Sequence, residues 1–151
     1  MVRAVECLAG DEDVFPARLS AADWVQLATV MERVELRPGE LLLRRGETGS
    51  GAYLVESGQL QVFVTGAAPR SHRVATLRGG TMVGEPGLFA ATPRMAHVEA
   101  ATPCVVWDLQ AACLSSLAAT APALVLEVLR AAGMLMTARR RANLERGIPV
   151  T

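Results

Sequence analysis

The sequence predicts a mainly β fold: an antiparallel, jelly-roll-like β-roll over residues 35–109, preceded by one helix over 19–34 and followed by C-terminal helices over 110–146. Three observations carry this expectation. Short apolar or alternating runs recur between turn residues in the middle of the chain, nine of the thirteen glycines lie from Gly46 to Gly87, and apolar residues at helical spacing flank that region on both sides. Evenly spaced short strands separated by glycine turns are what a compact roll or barrel requires.

The first helix begins in "LSAADWVQLATVMERVEL", where Ser20 followed by Asp23 has the pattern of a capping box. Trp24, Leu27, Val30 and Met31 recur at helical spacing and Val34 continues their face, so about four turns are expected before Pro38-Gly39 ends them. The roll is then read from "ELLLRRG", "GAYLVESG", "QLQVFVTG", "HRVATLRGG", "TMVGE", "AHVEAAT" and "PCVVWDL". In "GQLQVFV", Leu60, Val62 and Val64 alternate with Gln59, Gln61 and Phe63, which predicts a core-facing side and a wetter side. "LQAACLSSLAAT" forms the next helix, and Pro122 starts the last, because proline fits a first helical turn. Leu124, Val128, Ala131, Leu135, Ala138 and Ala142 make one stripe on it, with Val125, Leu129, Ala132 and Met136 beside them. So wide an apolar face has three readings: core, a homodimer seam, or a surface that docks on a neighbour.

Length and composition bound the function. With 151 residues, 51% of them apolar, the chain is expected to be one domain spanning 1–151. Fifteen basic residues, all arginine, balance fifteen acidic ones, so no overall field draws it to nucleic acid, and no nucleic-acid partner is expected. "RRRANLER" at 139–146 is read as a cationic last turn complementing its helix dipole. Cys7, Cys104 and Cys113 lack paired spacing, and His72 and His97 lie 25 residues apart without companions, so neither disulfides nor a metal site is expected. No catalytic constellation emerges, and a non-enzymatic role is the expectation. The N-terminus lacks a signal peptide's apolar core, and Pro122, Glu127 and Arg130 interrupt the longest apolar region, so a cytoplasmic location is expected.

"VGEPGLFAATPRMAHVEA" carries the chemistry. Gly84-Glu85 follows a strand-like "TMV", and Pro86 to Phe89 can form one helical turn whose free N–H groups and dipole favour an anion. Arg94, nine residues after Glu85, can add a full charge and paired hydrogen bonds to a phosphate, while Glu85 is an acceptor suited to sugar hydroxyls. The bland alternative is a structural salt bridge between Glu85 and Arg94.

This stretch resembles the phosphate-binding cassette of the cyclic-nucleotide-binding domain family, shared by the bacterial catabolite activator, protein kinase regulatory subunits and cyclic-nucleotide-gated channels. Gly84, Glu85, Gly87, Leu88, Pro93, Arg94 and Ala96 fall in the family's register, with the cassette at 84–96, and the likeness extends over most of the chain. The resemblance implies that Glu85 and the Gly84 N–H hold the ribose 2′-hydroxyl. It implies that Arg94 pairs with the cyclic phosphate, aided by N–H groups of Gly87 and of Met95 or Ala96. The purine would be covered from the region Gly133 to Arg141, or by a partner subunit.

Two residues depart from the pattern: Pro86 stands where the family usually has Leu, Ile or Met, and Met95 where many members have a small residue or a hydroxyl. A lost hydroxyl bond would cost about 0.5 to 1.5 kcal/mol. The expectation is a regulatory domain with a cyclic mononucleotide as ligand, cyclic AMP ahead of cyclic GMP, and no resident cofactor. Binding would be transmitted through the last helix, in a larger parent such as a transporter or channel. The alternative is a non-binding roll used for interaction or dimerisation through that helix.

Overall fold

The computed structural model describes residues 13–64 and 73–145; Cys7, the glycine turn at Gly66, His72 and the chain after Glu145 lie outside them. The described chain runs α1 (Ala21–Ala28), β1 (Glu32–Leu36), β2 (Leu41–Leu43), β3 (Thr48–Gly49), β4 (Gly51–Ser57), β5 (Gln59–Phe63) and β6 (Arg73–Arg78). It continues through β7 (Met82–Val83), a 3-10 turn (Glu85–Leu88), β8 (Thr92–Pro93), β9 (His97–Ala100), β10 (Cys104–Gln110), α2 (Ala111–Leu117) and α3 (Pro122–Glu145). The strands pair antiparallel in two four-stranded sheets, β1-β10-β4-β7 and β2-β9-β5-β6, with β3-β8 as a small third pair.

Alternation along β4 shows how the roll acquires two cores. Tyr53 and Val55 face the interior between the sheets, with Leu43, Leu60, Leu77, Val98 and Val106. Ala52 and Leu54 face outward into a second cluster, where Trp24, Leu109, Leu114, Val128 and Leu135 bring the helices against the sheet. The apolar stripe of α3 is therefore core over Leu124, Val125, Val128, Ala131, Ala132 and Leu135, whereas Ala138 is exposed.

The first helix is shorter than its pattern predicts. It ends at Ala28, and residues 32–34, read as its last turn, belong instead to β1 with Glu35 and Leu36. Val34 and Leu36 fit a period of two as well as Val34 fits a period of 3.6, and pairing of Glu32 to Leu36 with Asp108 to Cys104 decides between them. In β5, Phe63, expected on the wetter face, is buried, so that face is covered at the end of the strand, where β6 carries an extra residue between its partners Ala75 and Arg73.

The capping box is formed as expected. The Ser20 hydroxyl accepts from the Asp23 N–H at 3.1 Å, and the Asp23 carboxylate accepts from the Ser20 N–H at 2.9 Å. Ser20→Ala is expected to cost about 1 kcal/mol in urea unfolding, the usual loss on removing an N-cap.

The segment before α1 holds the last helix down. Phe15 is fully buried, meets Trp24 edge to face, and donates its N–H to Gly80 O. Glu127 on α3 accepts from Arg130 at 2.7 Å and from the Arg18 N–H at 3.1 Å, and these bonds, led by Arg130, hold its carboxyl below the usual carboxylate range against the opposing effect of burial. A pKa lowered by folding contributes stability above the unfolded value, and that stability is lost as pH falls through the folded one. Acidification should therefore lower the urea midpoint more for the unaltered chain than for Glu127→Gln, compared at neutral pH and below the carboxylate range.

Candidate functional site

The cassette is built on a glycine that other residues could not replace. Gly84 follows β7 in the left-handed conformation (φ 76°, ψ 22°) and caps the 3-10 turn, with Pro86 in its first turn as expected. The Gly87 N–H donates to Gly84 O at 3.0 Å, so this group, assigned to phosphate by resemblance, closes the turn here. Leu88 is buried and packs into the helix-side core. Met95 is 44% exposed, and Ala96 is half-buried.

Arg94 is positioned by main chain on both sides. Its N–H donates to Glu47 O and its carbonyl accepts from the Gly46 N–H, each at 2.8 Å, next to the β3–β8 pair. The guanidinium then donates from Nη1 to Gly84 O at 3.0 Å and from Nη2 to Gly51 O at 2.8 Å. Three glycines leave the room it occupies, since a Cβ at Gly49, Gly84 or Gly87 would collide with the guanidinium, whereas one at Gly51 would meet Gln110 Nε2 at 2.7 Å and Leu109 O at 2.8 Å. A guanidinium has five N–H groups, so three remain beyond the two carbonyl bonds. Beside it lies a polar recess of about 190 Å³ lined by Leu43, Thr48, Gly49, Tyr53, Arg94 and Gln110. Burial pushes the Tyr53 phenol above its ordinary range, Asp108 adds to this, and Arg94 opposes it.

Glu85 and Arg94 do not form the structural salt bridge that their spacing also allowed. Glu85 is only 5% exposed, and its Oε2 instead accepts from Arg139 Nη1 of α3 at 2.9 Å. The same guanidinium donates to Met82 O at 2.7 Å, to Thr81 Oγ1 at 2.8 Å and to Asp13 Oδ1 at 3.2 Å. The buried carboxylate thus has a full counter-charge from the last helix, and removing one partner of such a pair typically costs about 3 to 5 kcal/mol.

Each charge of the cassette is therefore held in place by a different element. Sequence reasoning reached Arg139 as part of the region Gly133 to Arg141 and of a cationic run complementing its helix dipole, not as the partner of Glu85, and it missed Thr81, Gly49 and Gly51 as parts of the site. Gly49 and Gly51 are visible in sequence as turn glycines, but nothing local shows that an arginine 45 and 43 residues further on needs the missing side chain of the first and the carbonyl of the second.

A family model described as the cyclic nucleotide-binding domain matches residues 33–121. Among curated proteins, an uncharacterised NTE family protein of Mycobacterium tuberculosis is 31% identical over 121 residues, covering 80% of this chain and 20% of that protein. A cAMP-dependent protein kinase regulatory subunit of Yarrowia lipolytica is 39% identical over 77 residues, 51% of this chain and 20% of that one. A cGMP-dependent protein kinase of Plasmodium berghei is 28% identical over 92 residues, 61% of this chain and 10% of that one.

The chain thus spans about a fifth of the length of the first of these relatives. Of solved structures, the Thermus thermophilus catabolite activator protein superposes with a TM-score of 0.72 at 25% identity, over 86% of this chain and 60% of that one. A cyclic nucleotide-binding domain from Methylobacillus flagellatus gives 0.76 at 24% identity, over 95% and 83%, a likeness of fold. Among the described residues no helix is long and apolar enough to cross a membrane. By the match over residues 33–121, with the roll and its flanking helices formed as that family requires, the chain belongs to the cyclic nucleotide-binding domain family.

Proposed function

We propose that this domain binds a cyclic mononucleotide, cyclic AMP ahead of cyclic GMP, and passes binding to α3 as the receiver of a longer regulatory protein. The observation that carries the reading is the separation of the two cassette charges. Arg94 keeps three N–H groups beyond those its carbonyl cage uses, which suits a phosphate. Glu85 is buried yet ionically matched, which leaves Oε1 to accept from a ribose hydroxyl while Oε2 stays with Arg139. The kinase subunit named for cyclic AMP is more identical over a shorter stretch and the kinase named for cyclic GMP less identical over a longer one, so the order of ligands is carried over from the sequence expectation and the titration below tests it.

Gly84, Glu85, Gly87, Leu88, Arg94, Met95 and Ala96 remain the assigned contact set, with Gly87 and Leu88 shaping the turn and Arg94 and Glu85 making the charged contacts. A ligand shifts α3 only through its differential affinity for two arrangements of the fold, and the Glu85–Arg139 pair supplies a difference for it to act on. The longer parent proposed is a transporter or channel, and the NTE family relatives, of which this chain covers a fifth, offer a second class.

A second reading has one observation in its favour: a roll whose Glu85 is permanently held by Arg139 would bind nothing and act as an interaction module. Titration calorimetry with cyclic AMP and cyclic GMP separates the two. Heat of binding with cyclic AMP the tighter ligand is expected, and no heat and no thermal shift at millimolar nucleotide would sink the binding reading.

A further inference from the structure

Arg139 joins more than the cassette and α3. While Nη1 and Nη2 engage Glu85, Met82 O and Thr81, its Nε donates to Asp13 Oδ1, in the segment before α1. That segment has anchors of its own: buried Phe15 with its N–H on Gly80 O, Pro16 O accepting from Arg130, and the Arg18 N–H on Glu127. A guanidinium is a rigid plane, so a tilt that takes Nη1 away from Glu85 also takes Nε away from Asp13. One side chain therefore couples the cassette acid to an acid on the N-terminal side.

We propose that Asp13 acts through Arg139 as a positioning residue for Glu85, and that the segment Asp13 to Arg18 is a second responding arm of the nucleotide site alongside α3. This rests on Glu85 being the ribose acceptor. Asp13 draws Nε into the orientation that lets Nη1 reach Glu85, so its removal leaves the acceptor less well held. Linkage makes the effect reciprocal: occupancy at Glu85 must change how firmly the N-terminal segment is held. The Asp13 side chain is 43% exposed, so the coupling is of modest size.

The test combines hydrogen exchange and calorimetry on the full chain, with cyclic AMP as the nucleotide. Without nucleotide, Arg139→Gln should speed amide exchange both from Phe15 to Arg18 and in the cassette, with β4 and β10 unchanged. Asp13→Asn should weaken cyclic AMP binding about two- to fivefold when Arg139 is present and not in the Arg139→Gln background. Unchanged exchange from Phe15 to Arg18 in Arg139→Gln, or an equal effect of Asp13→Asn in both backgrounds, would overturn the proposal. If cyclic AMP gives no heat with the unaltered chain, the nucleotide reading fails, and the exchange measurement alone decides the coupling. If Arg139→Gln loosens β4 and β10 as well, Asp13→Asn decides: faster cassette exchange supports the coupling and unchanged exchange refutes it.

Discussion

Arg94→Ala is expected to weaken cyclic AMP binding by roughly 1.5 to 3 kcal/mol, about ten- to a hundredfold or more in Kd by calorimetry. The loss has two sources. A charge-assisted pair with the phosphate disappears, and Gly84 O and Gly51 O lose the donors that join β7 to β4 behind the cassette. Arg94→Lys separates them, since an ammonium keeps the charge but is a point donor that cannot match the fixed fork reaching both carbonyls. It should bind between the two. An unchanged affinity in Arg94→Ala would place the phosphate elsewhere.

Gly87→Ala should destabilise the fold by about 1 to 3 kcal/mol, the range for adding volume where there is none. The new Cβ would lie 2.6 Å from Gly51 O and 2.8 Å from Arg94 Nη1, and the first of these is main chain of the neighbouring strand, so the cassette must move off the roll. Gly133→Ala is the matched control, because nothing lies within 4 Å of its Cβ and the residue is helical. There the same added methyl should stabilise by up to about 1 kcal/mol, from helix propensity alone. Urea midpoints of the two variants moving in opposite directions is the expected result, and a parallel shift would show that Gly87 does not mark a close approach.

Much of the fold was legible because its signals are local. Ser20 with Asp23, Pro122, and the glycines between Gly46 and Gly87 act within a few residues of where they stand, and the helices and most strands follow from them. The helix end near Ala28 was not legible, because Val30, Met31 and Val34 satisfy a helical period while the deciding partner, β10, lies more than seventy residues on. The β3–β8 pair was missed for a related reason: two residues on each strand are too few to show alternation. At the site, spacing identified Glu85 and Arg94 but not what each touches. The carbonyls of Gly84 and Gly51 carry no side-chain signature, and Arg139 sits in a run of three arginines whose facing depends on how α3 docks.

Both tryptophans stand on the same side of the sheet. Trp24 is in the helix-side cluster and Trp107 packs against it, whereas the cluster between the sheets is made of aliphatic residues with Cys104 and Tyr53. Indole emission therefore reports the helical layer, while the β-sheet band of the amide I infrared absorption reports the roll. A state in which α3 and the N-terminal segment have lifted while the roll persists would red-shift the fluorescence and leave that β signal in place. The protein thus carries a built-in optical probe for the part of the structure through which a signal would leave it.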